Sequence, residues 1–95
     1  MRLAARVDDN QAQIVSALRK LGATVRVVTQ GNGIPDLLVG FQGHTVLMEV
    51  KDGKKSPSAR RLTEAEQKFF DQWRGGMLAI VESVDDAVCL LQKLG

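Results

Sequence analysis

Residues 34–51 read Ile34-Pro35-Asp36-Leu37-Leu38-Val39-Gly40-Phe41-Gln42-Gly43-His44-Thr45-Val46-Leu47-Met48-Glu49-Val50-Lys51. Two strand-like runs, Asp36–Phe41 and His44–Lys51, flank Gln42-Gly43, the spacing of a hairpin closed by a two-residue turn in which Gly supplies a positive φ. Counting outward from the turn pairs Phe41 with His44, Gly40 with Thr45, Leu38 with Leu47 and Asp36 with Glu49. Two carboxylates thus face each other with Cβ atoms about 5 Å apart, where like charges destabilise a sheet. A cation belongs between them. Lys51, two residues beyond Glu49, projects from the same face because strand side chains alternate. Paired hard carboxylate oxygens suit Mg2+ or Mn2+ and not Zn2+, which selects His or Cys. The one histidine, His44, sits at the turn end of the hairpin and is expected at the surface.

Working outward, Ile14, Ala17, Leu18 and Leu21 recur at helical spacing over Asp9–Leu21, with Asp8, Asp9 or Asn10 as the cap and Gly22 as the stop. Thr24–Val28 is a β-branched strand. Thr63-Glu64-Ala65-Glu66 is a capping box opening a helix that carries Phe69, Phe70 and Trp73 and stops at Gly75-Gly76. One helical turn separates Phe69 from Trp73, which predicts packing of that apolar face against the sheet. Met77–Val81 reads as a fully buried strand, and Ser83-x-x-Asp86 caps a last helix with Val84, Ala87, Val88, Leu91 and Leu94 on one face. The predicted fold class is α/β, a mixed β-sheet flanked by helices in the order αβββαβα, as a single domain over residues 1–95.

Composition narrows the function classes. A chain of 95 residues with net charge +2, 44% apolar and 25% charged residues is that of an ordinary globular protein. No apolar run approaches the ~20 residues of a membrane span, and Met1–Asn10 has no signal-peptide core, so a cytoplasmic location is expected. A single cysteine, Cys89, excludes an internal disulfide and a cysteine zinc site. Gly31-Asn32-Gly33 leads into a strand instead of opening a helix, which excludes a P-loop, a Rossmann fingerprint and with them a nucleotide cofactor. Acyl-transfer triads fail because His44 lies at a turn.

Three further features bear on chemistry. Lys51–Leu62 is the one strongly basic stretch, with Lys54, Lys55, Arg60 and Arg61 beside Lys51 and only Asp52 against them, and Lys68 follows in the next helix. Such a loop is either a solvated surface or an arm that grips phosphates. Gln11 falls within about 40° of the centre of the first helix's buried stripe, so it should point inward, to bond nearby backbone or to serve the carboxylate site as an outer ligand or water-positioner. Gln67 is either an exposed helix residue or a hydrogen-bonding group at the site's edge.

Ile34-Pro35-Asp36, followed after 12 residues by Glu49-Val50-Lys51, resembles the PD-(D/E)xK nuclease signature. With Asn10-Gln11 to Leu18-Arg19, Gly33 to Leu38, and Gln67 after the basic loop, the pattern looks like the virus-type replication-repair nuclease (VRR-NUC) branch over nearly the whole chain. The resemblance implies a metal-dependent endonuclease acting on branched DNA such as a Holliday junction, working as a homodimer in a bacterial or phage-infected cell. It also implies that Asp36 and Glu49 are metal ligands, that the Val50 carbonyl adds a third oxygen, and that Lys51 is the catalytic lysine. One departure stands out: family members often carry an acid in the first helix, where this chain has Gln11, or Asp9 in another register. The competing reading, a non-catalytic nucleic-acid-binding module, draws on that departure. It leaves the repulsive Asp36–Glu49 pair without a purpose. A structural dimerisation module would account for Phe70 and Trp73 but not for the carboxylates.

Overall fold

Gln42 and Gly43 both take positive φ, 48° and 82°, and close the hairpin tightly. In the computed structural model, which describes residues 9–95, the elements follow the expected order: α1 (Gln11–Lys20), β1 (Thr24–Val27), β2 (Leu37–Phe41), β3 (His44–Val50), α2 (Glu64–Gln72), β4 (Met77–Val81) and α3 (Val84–Leu94). A single 3-10 turn, Pro57–Arg60, interrupts the basic loop. The four strands form one sheet in the order β1-β2-β3-β4, antiparallel except for β3 and β4, which run parallel. Leu38 pairs with Leu47 and Leu37 with Met48, the register that counting from the turn predicts. Asp36 and Glu49 fall one step beyond the last of these pairs.

Alternation sorts the strands into two faces. Leu37, Val39 and Phe41 of β2 and Val46, Met48 and Val50 of β3 face one side, where Ile14 and Leu18 of α1 and Ala87 and Leu91 of α3 close over them. The mixed sheet flanked by helices is therefore present, with α1 and α3 together on one face. Gly22, at φ 107°, ends α1 and turns the chain into β1. Asn10 is the N-cap residue of α1, but its side chain makes no cap bond. Its amide donates instead to the carbonyls of Lys51 and Glu82, both at 3.1 Å, so the start of α1 straps the ends of β3 and β4 together. Asp8, the earliest candidate cap, lies outside the described residues.

Two expectations are corrected. β4 is not fully buried: Met77 is 40% and Ile80 43% exposed, and only Val81 is enclosed. Among the described residues the strand lies at the sheet's edge, and the second face of the sheet carries no helical layer like that of the first. The aromatic stripe of α2 does not enter the core either. No residue of α2 is buried; Phe69 and Phe70 are half-buried, and Phe69 stacks on Trp73 with centroids 5.4 Å apart. The core has already been closed by α1 and α3 on the other side of the sheet, so these rings satisfy one another, and the Trp73 indole donates to the Gly76 carbonyl at 2.7 Å.

Leu18→Ala, at a fully enclosed position, should cost about 2–5 kcal/mol in a denaturant titration. Val27→Thr, at a half-exposed strand end, should change stability by no more than about 0.5 kcal/mol.

Candidate active site

Pro35 is fully buried and delivers Asp36 to the start of β2. The loop before it turns on three successive positive φ values, Gly31, Asn32 and Gly33. Gly33 is required for a second reason: a Cβ there would collide with the Ala65 carbonyl, so only glycine lets the first turn of α2 lie against this loop. Asp36 is held at both ends. Its carbonyl accepts from the Val28 amide at 2.8 Å, and its Oδ2 accepts from the Val50 amide at 2.7 Å. Glu49 and Lys51, on the sheet face opposite the core, are nevertheless only 2% and 8% exposed. The structure therefore brings Asp36, Glu49, Val50 and Lys51 to one end of the β2–β3 pair.

A third carboxylate joins them. Glu66 Oε1 accepts from the Lys51 ammonium at 2.8 Å and from the Thr63 amide at 2.8 Å, while the Thr63 hydroxyl accepts from the Glu66 amide at 3.2 Å. The capping box at the start of α2 and the ion pair in the site thus share one oxygen. The same ammonium stands 3.8 Å from Glu49 Oε2. The sequence names Glu66 only as the N3 member of a capping box, a role that accounts for its side chain without reference to the site. The signal that could have found it is Gly33, a glycine just before Pro35-Asp36 whose need becomes evident only when α2 is placed against it.

Gln67 is a correction. The structure turns it away from the site, exposed and donating to Asp71 Oδ1 at 2.9 Å one helical turn on, because its neighbour Glu66 occupies the inward phase. Gln11 is 6% exposed, as its helical phase predicts, and lines a groove with Val15, Arg19 and Val27. It has no hydrogen bond to Asp36, Glu49 or Lys51 among the described residues. In the basic loop, Lys54, Lys55 and Arg61 are exposed, as is Lys68 on α2. Arg60 differs from them: it is half-buried and bridges Glu82 at 3.3 Å, which ties the loop to the end of β4 and removes Arg60 from the exposed set. His44 is exposed at the turn, as expected.

The electrostatics of the cluster are lopsided. Burial, then the adjacent Asp36 carboxylate and then Glu66, push the Glu49 carboxyl from 4.5 up to about 10. Burial would also raise Glu66, but the bonds from Lys51 and the Thr63 amide outweigh it and hold Glu66 below the ordinary carboxylate value. Glu49 Oε1 is buried without a hydrogen-bond partner. Among the described residues no group of three or more His, Cys, Asp or Glu is gathered as a metal-binding set. The donors that are present, Asp36 and Glu49, are hard oxygens with one orphaned atom and a carboxyl that ionises at neutral pH only if a cation stands beside it. That set fits a hard divalent cation.

No family sequence model matches the chain, and no curated protein matches it. A solved structure described as a "VRR_NUC domain" superposes on it with a TM-score of 0.56 at 25% sequence identity, over 90% of this chain and 97% of that one.

Glu49 titrates near 10 in the fold and near 4.5 when unperturbed, so the folded chain keeps a proton that the unfolded chain gives up. Its contribution to stability is complete below about 4.5 and is lost as pH rises toward 10. In EDTA the melting temperature should therefore fall between about pH 5 and pH 9. Glu49→Gln should flatten that fall and saturating Mn2+ should oppose it; equal slopes for wild type and Glu49→Gln would contradict the assignment.

Proposed function

We propose that this chain, a VRR-NUC domain by its structure, is a divalent-metal-dependent DNA endonuclease that hydrolyses phosphodiester bonds in branched DNA. The observation that carries the reading is the Asp36–Glu49 pair: two carboxylates brought together beside Lys51, one of them buried with an unpartnered oxygen, an arrangement costly to the fold and useful only to a cation. Glycoside hydrolysis also uses paired carboxylates, but it has no need of a buried lysine beside them.

Asp36, Glu49 and the Val50 carbonyl would hold Mg2+ or Mn2+, which supplies a water of lowered pKa and draws charge from the scissile phosphate. Asp36 Oδ2 is held by the Val50 amide at 2.7 Å. Lys51 presents its ammonium at the edge of the pair, where it orients the attacking water or stabilises the charge that develops on the phosphate oxygens. Lys54, Lys55, Arg61 and Lys68 form the exposed basic arm that grips flanking phosphates, a contact that weakens steeply with salt. Cys89 is a free, exposed thiol, which suits work in a reducing cytoplasm, bacterial or phage-infected.

Homodimerisation completes the reading. β4 leaves an open sheet edge with Met77 and Ile80 exposed, and Leu38, on the same sheet face as Ile80, is 42% exposed. Among the described residues no strand pairs with that edge, a surface that a second copy would cover, and a twofold would set two sites on opposing strands of a junction.

The test is cleavage of a labelled four-way junction, with duplex, flap and single-stranded controls, in Mg2+, in Mn2+ and in EDTA. Wild type should cut the junction only with metal, Glu49→Ala should cut nothing, and Lys51→Ala should lose at least about 100-fold. Metal-independent binding with no cutting by wild type would promote the non-catalytic binding module. In sedimentation, wild type should run as a dimer and Ile80→Lys as a folded monomer; a wild-type monomer would dismiss the twofold.

A further inference from the structure

Resting on the nuclease reading, we propose that Glu66 is the positioning residue of Lys51, holding its ammonium away from the Asp36–Glu49 pair so that those carboxylates remain open to the metal. The lysine has a strong reason to be elsewhere. Two carboxylates in a buried site with a lone ammonium nearby would ordinarily collapse into an ion pair, and such a lysine would occupy the place of a divalent cation. The structure divides the ammonium unequally: it lies 2.8 Å from Glu66 and 3.8 Å from Glu49, and Glu49 Oε1 keeps no partner.

Glu66 can resist that collapse because its own position is fixed. The oxygen that receives Lys51 also receives the Thr63 amide, so the helix cap sets its coordinates independently of the lysine. The cap in turn is seated by Gly33, whose missing Cβ admits the Ala65 carbonyl to the loop that delivers Asp36. The loop bearing the first ligand and the helix bearing the lysine's anchor are thereby in direct contact. Glu66 acts on the pair through Lys51 and, by its own charge, directly on Glu49, so its removal should appear both in the reaction and in metal binding.

A residue that only capped α2 would behave differently, and the capping box supplies the control. Thr63→Ala removes the hydroxyl that accepts the Glu66 amide but leaves the Thr63 amide, the Glu66 carboxylate and the ion pair. Glu66→Gln keeps an oxygen for both donors, whereas Glu66→Ala keeps none.

The three variants and wild type are compared by thermal melting, by Mn2+ titration calorimetry without DNA, and by steady-state junction cleavage. Glu66→Ala should weaken Mn2+ binding by about 10-fold and lower kcat by about 10-fold with KM for DNA unchanged. Glu66→Gln should recover most of kcat. Thr63→Ala should lower the melting temperature as Glu66→Ala does, yet keep most of its Mn2+ affinity and kcat. Equal losses in Thr63→Ala and Glu66→Ala, or a Glu66→Ala protein with wild-type kcat and Mn2+ affinity, overturn the proposal. A wild type that binds Mn2+ and cuts no DNA refutes the nuclease reading alone; calorimetry then decides Glu66, a loss confined to Glu66→Ala keeping the positioning role and a loss shared with Thr63→Ala ending it. A wild type that neither binds Mn2+ nor cuts overturns both.

Discussion

Because the β2–β3 turn contains only Gln42 and Gly43, both at positive φ, the pairing of these strands has no slack. A slip of one residue would carry Val46, Met48 and Val50 out of the core and turn Glu49 and Lys51 into it. The hydrophobic cost of that exchange is what forces Asp36 and Glu49 to meet. The cost of ionising both is thus imposed on the fold by the burial of their neighbours. The rest is arranged around that pair: Pro35 and the Val50 amide fix Asp36, Lys51 follows Glu49 on the same face, and Asn10 clamps the carbonyl of Lys51 to that of Glu82.

Much of this was legible in the residues. Parity about Gln42-Gly43 places Asp36, Glu49 and Lys51 without any tertiary knowledge, because period two and a tight turn are local rules. Helical phase puts Gln11 inward for the same reason. What could not be read was relative placement. The run Met77–Val81 is equally apolar at the centre or the edge of a sheet, so its exposure depends on the strand order, which no local pattern encodes. The aromatic face of α2 promised core packing, and the core went to α1 and α3 instead. Gln67 and Glu66 differ by one position, about 100° of helix phase, and which of them reaches Lys51 depends on how Gly33 seats the helix.

The site also shows how little of its charge is balanced within the chain. Glu66 is satisfied by Lys51 and the Thr63 amide, and Asp36 by the Val50 amide, which leaves Glu49 as the group whose ionised form has least support. Raising the Glu49 carboxyl beside a Glu66 held in its ionised form prepares a position where a divalent ion would gain more than on an exposed carboxylate pair, since desolvation has already been imposed by folding. The buried atoms that cost the fold stability are the ones a bound cation would relieve.

α2 enters this balance in another way. It buries none of its side chains, and its first turn is fastened by a glycine contact, a capping box and one ion pair. Helices attached in this manner sit at the low end of the spectrum of local unfolding free energies, well below the sheet and its two covering helices. Amides 64–72 will therefore exchange with solvent through openings that leave the core closed, and in each of those openings Lys51 loses its bond to Glu66. The fraction of molecules with an assembled site is set by that local equilibrium and not by the global stability of the chain. DNA bound along the basic arm leading into α2 would shift it toward the assembled form by mass action alone.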